Sequence, residues 1–322
     1  MSSHPSTDPG LGPGGEAAVA AALGVGVGEL EYRLLARGVT HDTLIVSVAA
    51  RPVGVLRLAP ERPEILPRLQ PADEGALFER LDGSGLPTPK ALIVDRDGSR
   101  LGTPGLLMSY CEGANTLTWE RMEERGGAGA GEHAFATIVR MHQMRIPAGW
   151  PQRDEPETHA ERELAGTRRL LEDGGDAAPA ALHDALPRLE RTAPEPTGPP
   201  CIVHGDFRPA NMMAARGRVT GILDWEMATT GDPLCDFGIS TMREWGVWMP
   251  DEELLARYGE ARGVECDPAA LAWWRALGYA KVVAFVAARQ ADGWQGPDIG
   301  LWVDGLERAV AEWAGGGAAS TR

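Results

Sequence analysis

This chain changes character once, at Cys111-Glu112-Gly113, and the change limits the folds open to it. Before that point the apolar residues fall in short runs rich in Leu, Ile and Val, at 29–37, 43–50 and 53–59, with turn residues at Gly38 and at Arg51-Pro52. Such runs predict a three-stranded antiparallel meander. Ala76, Leu77 and Leu81 then repeat at helical spacing within 73–81, and Pro87 and Pro89 end the pattern ahead of apolar 91–94 and 106–110. One helix and two further strands are expected there. After Gly113 the periodicity is helical over 132–144, 158–172 and 177–191, with a Gly-rich loop at 126–131 and a Pro-rich break at 194–200. Three short apolar segments follow, 201–204, 212–214 and 219–223, and the pattern is mostly helical again from Pro233 to Ala314. Residues 271–290 are apolar on almost every side, which predicts a central core helix.

The expected class is therefore α+β: a small antiparallel-sheet lobe over 26–110, a hinge at 111–113, and a larger, mainly helical lobe over 114–314, with a cleft between the lobes. A loose Pro/Gly/Ser-rich leader is expected at 1–25 and a flexible tail at 315–322. The 322 residues, 43% of them hydrophobic, are enough for two such cores.

Composition removes several functions. With 46 acidic against 31 basic residues the net charge is −15, and no block of basic residues gathers positive charge, so a nucleic-acid backbone is not an expected partner. The basic residues are almost all arginine; Lys90 and Lys281 are the two lysines. Cys111, Cys201, Cys235 and Cys266 are scattered without a CxxC pair, which points to neither a disulfide framework nor a zinc site and suits a reducing, cytoplasmic setting. No uninterrupted apolar run has the length needed to span a bilayer, and 1–16 carries no Lys or Arg to begin a secretory signal, so no membrane partner is expected. Oligomeric state is not readable from these features.

The segment that carries chemistry is Ile202-Val-His-Gly-Asp-Phe-Arg-Pro-Ala-Asn-Met-Met213, followed by Val219-Thr-Gly-Ile-Leu-Asp-Trp-Glu226. An apolar strand ends in a turn bearing His204, Gly205 and Asp206, and a second apolar strand ends in Asp224. Asn211 and Asp224 are hard oxygen donors, suited to Mg²⁺ held with the help of substrate phosphates. Asp206 is then left to orient an attacking hydroxyl. Taken singly, His-Gly-Asp reads equally as a plain turn and Asp224 as a helix cap.

His204-Gly-Asp-Phe-Arg-Pro-Ala-Asn211, Ile222-Leu-Asp-Trp-Glu226 and Gly231-Asp-Pro-Leu-Cys-Asp236 together resemble the aminoglycoside phosphotransferase and choline kinase group of protein-kinase-like enzymes. The Phe-Arg after Asp206, with Leu254-Leu-Ala-Arg-Tyr258, is most similar to the branch that includes phosphotransferase domains fused to acyl-CoA dehydrogenases. The resemblance implies a protein-kinase-like bilobal fold and an ATP- and Mg²⁺-dependent phosphotransferase acting on a hydroxyl of a small molecule: an aminoglycoside-like antibiotic, an amino alcohol or a hydroxyacyl compound. Asp206 would accept the hydroxyl proton, Asn211 and Asp224 would bind the metal, and Asp236 would sit in the following helix accepting hydrogen bonds from the catalytic loop. Arg57, in Val55-Leu-Arg57, stands where kinases place the lysine that holds ATP phosphates. Glu74 is its expected helix partner, with Glu79 the alternative. Met108, Ser109, Tyr110 and Cys111 would offer backbone groups to adenine. The phosphate-covering turn, Gly38 to Thr43, has a single glycine, so ATP binds less tightly or GTP serves instead, and a nucleotide-binding regulatory protein without transfer activity is the alternative function.

Arg208, two residues after Asp206, is expected either to stabilise charge on the transferred phosphoryl group or to pair with a nearby carboxylate. The tryptophans after residue 240 read as packing more than as a pocket lining, and Asp251-Glu-Glu253 as an ordinary acidic helix start. His133, His142, His159 and His183 show no metal spacing and are expected to be solvated or packed.

Overall fold

The computed structural model describes residues 8–37, 42–59, 69–150, 158–294, 296 and 298–316. The chain divides into two compact units: unit 1 is Met1–Gly113 with Thr220–Met227, and unit 2 is Ala114–Val219 with Ala228–Arg322.

Unit 1 contains α1 (Gly15–Leu23), β1 (Leu30–Arg37), β2 (Asp42–Val48), β3 (Arg51–Leu58), α2 (Pro71–Leu81), β4 (Ala91–Asp95) and β5 (Gly105–Ser109). The strands form an antiparallel sheet of order β1-β2-β3-β5-β4. Alternate apolar residues of the expected meander, Leu44 and Val46 on β2 and Leu56 and Leu58 on β3, enter one core with Tyr32 and Ile93. The turn between β2 and β3 lies at Ala49-Ala50, where both φ angles are positive, and not at Arg51-Pro52. Pro52 is instead a strand residue beside the register shift between Val46 and Ser47, a position that needs no regular ladder N–H.

The expected loose leader is corrected by α1. Val19 is fully buried in the sheet's core, and Gly24, with positive φ, ends the helix by returning its N–H to Ala20 and Ala21 carbonyls. An Ala-rich stretch has too little apolar contrast to show a helical face in sequence, although the flanking glycines mark its ends.

Unit 2 contains α3 (Trp119–Gly126), α4 (Ala130–Gln143), α5 (His159–Gly174), α6 (Ala180–Arg191), β6 (Cys201–Val203), β7 (Met212–Ala215), β9 (Thr229–Gly231), α7 (Leu234–Ser240), α8 (Asp251–Arg262), α9 (Pro268–Ala291) and α10 (Gly300–Gly316). The strand β8 (Arg218–Ile222) carries the chain from unit 2 into unit 1. As its sequence demands, α9 is the core helix, packed by α5, α7, α10 and α6. Asp267 caps its start by accepting the Ala269 N–H, and Pro268 fits the first turn. By length and composition α9 would also suffice to cross a bilayer, yet most of that apolar surface is buried by its neighbours. The strand β9, too short to be seen in sequence, pairs antiparallel with β6 from Cys201↔Gly231 to Val203↔Thr229.

Candidate active site

In unit 2 the short strand β6 ends at Val203, and the next two backbone N–H groups, of His204 and Gly205, both donate to the Asp236 carboxylate of α7, at 2.9 and 2.7 Å. Gly205 has φ of 81°, which a side chain would oppose. His204 is fully buried and accepts the Asp206 N–H at Nδ1, 3.2 Å away. Burial opposes the Asp236 charge, but the His142 imidazole and the His204 N–H outweigh it and hold the carboxyl below its usual range.

The Asp206 side chain, about a quarter exposed, is gripped at both oxygens. Arg208 Nε donates to Oδ1 at 2.8 Å, and Asn211 Nδ2 donates to Oδ2 at 2.7 Å and to the Asp206 carbonyl at 2.9 Å. The short 3-10 turn Pro209–Asn211 brings Asn211 back onto Asp206. Since Nδ2 of Asn211 is committed to Asp206, its Oδ1 is the atom left to serve as a ligand. Of the two expectations for Arg208, the structure shows the ion pair, and its guanidinium also lies over the Trp245 ring, 4.6 Å from the centroid.

In unit 1 the Arg57 guanidinium on β3 is 7% exposed and meets carboxylates at both ends of its fork. Nη1 donates to Glu74 Oε2 of α2 at 2.6 Å; Nη2 donates to Asp224 Oδ1 at 3.0 Å and lies 3.5 Å from Glu226 Oε2. Burial disfavours the guanidinium charge, but Glu74, Asp224 and Glu226 together raise its pKa above the ordinary value. The second oxygen of Glu74 accepts the Trp225 N–H at 2.9 Å. Glu74 is thus the helix partner, while Glu79 is exposed. Asp224 sits where β8 ends, with φ of 64°, a left-handed conformation that Asp tolerates better than most residues and that costs backbone strain.

The expected Arg57–Glu74 pair is thus assembled in unit 1, where Asp224 joins it, and Asp206, Arg208 and Asn211 meet in unit 2, so the expected trio of Asp206, Asn211 and Asp224 is divided between the units. Ser109 and Met108 pair with Gly54 and Val55 in the sheet, and the Tyr110 N–H donates to the Val53 carbonyl. Gly38 lies outside the described residues. Two participants were missed. Glu226 follows Asp224 and Trp225 in the same motif, and that adjacency was the available signal; His142 had none beyond its place near the end of a helical pattern.

The sequence profile described as the phosphotransferase enzyme family matches residues 31–277. The chain belongs to this family. Among the family's relatives, acyl-CoA dehydrogenase family member 11 of Gallus gallus is 24% identical over 282 residues, covering 79% of this chain and 36% of that protein. The chain thus spans little more than a third of that relative's length. Choline kinase LicA from Streptococcus pneumoniae superposes with a TM-score of 0.65 at 17% identity, covering 93% of this chain and 97% of the other. A thermostable mutant of aminoglycoside phosphotransferase APH(4)-Ia, in ternary complex with ADP and hygromycin B, gives a TM-score of 0.59 at 15% identity, covering 93% and 96%. These likenesses establish the kinase-like α+β fold for this chain.

The chemistry of the donors in each unit, taken by itself, suits Mg²⁺. Among the described residues no three His, Cys, Asp or Glu side chains form a cage for a metal. Asn211 Oδ1 in unit 2 and the Asp224 carboxylate in unit 1, whose side chain is 35% exposed, are each hard oxygens of the kind Mg²⁺ takes in small number from protein when phosphates and water complete its shell.

Proposed function

We propose that this phosphotransferase transfers the γ-phosphoryl group of ATP, with GTP the alternative donor, to an alcohol hydroxyl of a small molecule in a Mg²⁺-dependent reaction. The observation that carries the reading is the Asp206 carboxylate, fixed at one oxygen by Arg208 Nε and at the other by Asn211 Nδ2. A carboxylate held in that way is oriented to accept a hydroxyl proton as the hydroxyl oxygen attacks phosphorus. Asn211 and Asp224 are the proposed metal ligands. When bound, Mg²⁺ supplies charge that neutralises the terminal phosphates. Arg57 is the proposed phosphate-binding cation, steadied by Glu74, and the backbone of Met108, Ser109, Tyr110 and Cys111 is the proposed adenine edge. Arg208 is proposed to stabilise charge on the transferred group, exchanging part of its grip on Asp206 for phosphoryl oxygens. A reducing cytoplasmic setting is proposed as well, supported by four free thiols.

Two acceptor classes are supported by the relatives' names, an aminoglycoside-like compound and an amino alcohol such as choline; a hydroxyacyl compound is proposed as the third, because the acyl-CoA dehydrogenase family members match over this same region. Thermal melting with Mg²⁺·ATP and Mg²⁺·GTP, followed by ADP or GDP release against a library of those classes, tests the reading. The expected outcome is nucleotide stabilisation that depends on Mg²⁺, turnover of one class, and a rate loss of about 100- to 10,000-fold in Asp206→Ala. Nucleotide binding with no turnover of any acceptor would make the protein regulatory instead.

A further inference from the structure

Tyr258, His142 and Asp236 form a buried chain of side chains that ends on the two residues before Asp206. His142 Nδ1 lies 3.0 Å from the Tyr258 hydroxyl, and His142 Nε2 lies 3.1 Å from Asp236 Oδ2. Asp236 in turn accepts the N–H groups of His204 and Gly205. The chain draws on α8, α4 and α7, and His142, Asp236 and Tyr258 are 1%, 0% and 0% exposed. Phe237 packs edge-on against both His142 and Tyr258, excluding water from the path.

Donor and acceptor roles follow from elementary chemistry. An ionised carboxylate only accepts, so Nε2 of His142 carries a proton toward Asp236. In the neutral imidazole Nδ1 then has a lone pair, and the Tyr258 hydroxyl is the group that donates to it. Oδ2 of Asp236 consequently holds two donors, His142 Nε2–H and His204 N–H, while Oδ1 holds Gly205 N–H. Removing the His142 proton donor would leave a buried carboxylate with fewer donors, and such a group turns or takes up a proton. A protonated Asp236 has an O–H in place of one acceptor oxygen and cannot hold both amides in their present places.

Resting on the phosphotransfer reading, we infer that His142 is a positioning residue: it fixes the ionised, two-oxygen grip of Asp236 on the His204 and Gly205 amides and so sets the aim of Asp206. Tyr258 fixes the imidazole's tautomer and rotation. Neither side chain touches the reacting atoms.

Two substitutions separate this role from simple packing. Glutamine carries an amide N–H at the reach of Nε2, whereas asparagine reaches only as far as Nδ1. The experiment measures amide hydrogen exchange at His204 and Gly205 in the full chain, together with ADP release from Mg²⁺·ATP without added acceptor. In His142→Asn, exchange at those two amides should rise at least about 10-fold while the α9 amides keep their protection. The rate of ADP release should fall about 10- to 100-fold with the KM for ATP unchanged, as misplacement of a reacting group does. His142→Gln should restore most of both. Unchanged exchange at His204 and Gly205 in His142→Asn, or equal damage in Asn and Gln variants, would overturn the inference. Should His142→Asn fail to fold, Tyr258→Phe decides: faster exchange at Gly205 supports the chain and unaltered exchange refutes it. Absence of ADP release from the wild-type protein, with the exchange pattern as expected, would count against the phosphotransfer reading alone.

Discussion

At the scale of single residues, the arginine at position 57 explains why two carboxylates beyond the expected Glu74 gather around it. A lysine ammonium is a compact point charge, whereas the guanidinium fork presents donors in two directions. Nη1 is used by Glu74, and Nη2 faces both Asp224 and Glu226. Cys111, in the same unit, gives a direct check on burial. Its side chain packs against Gly221, and burial pushes its thiol up to about 11 from an ordinary value of 9.0. Only the thiolate is alkylated, so at pH 8 the native protein should lose Cys111 to iodoacetamide about 100-fold more slowly than the unfolded chain does, as mass spectrometry of quenched samples would measure. Equal rates would place Cys111 in solvent. Asp206, Asn211, Asp224, Arg57 and Glu74 were legible in the sequence because short motifs hold them at fixed spacing. His142 was not, because what distinguishes it is the pair of partners it meets, 94 and 116 residues away in the chain.

At the scale of elements, the crossing of α7 on α9 shows what periodicity does and does not reveal. The apolar run of α9 announced a core helix, but nothing local told which helix would cross it most closely. Gly238 of α7 lies against the α9 backbone: a Cβ there would stand 2.7 Å from the Trp274 carbonyl carbon and 2.9 Å from the Arg275 nitrogen. Helix backbone cannot yield as a side-chain tip can, so Gly238→Ala should force the helices apart and cost about 1–3 kcal/mol, read from the urea midpoint. Because α7 also carries Asp236, exchange protection at His204 and Gly205 should weaken with it. A variant as stable as the wild type would show that the crossing has slack. The misread turn between β2 and β3 has a similar origin: two alanines at positive φ lack the Asn-Gly signature that marks such turns, and sheet pairing on both sides imposes the conformation.

At the scale of the molecule, chain order and compact units do not coincide, and the sequence pattern alone could not have shown it. The apolar run 219–223 read as part of the larger helical region, yet Thr220–Met227 belongs to unit 1. There it closes several buried groups at once. Ile222 donates its N–H to the Pro87 carbonyl at 2.6 Å, the Glu226 carbonyl accepts the Leu69 N–H at 2.9 Å, and Trp225 is fully buried with its N–H on Glu74. Asp224 and Glu226 join Glu74 as carboxylates around Arg57. A fragment of residues 1–113 would therefore keep its strands but leave the buried guanidinium without its Asp224 and Glu226 partners, and an empty space the size of an indole. Lost partners for a buried charge and a cavity of that size each cost several kcal/mol, comparable to the stability of a domain this small. The fragment should melt without a cooperative transition by circular dichroism, and joining 220–227 to its end through a flexible Gly/Ser linker should restore one. Residues 1–113 contain no tryptophan, so the emission of the linked fragment reports on Trp225 alone and should be blue-shifted when it folds. A cooperative melt of 1–113 by itself, or red-shifted emission in a linked fragment that melts cooperatively, would show that unit 1 closes its core without the returning segment.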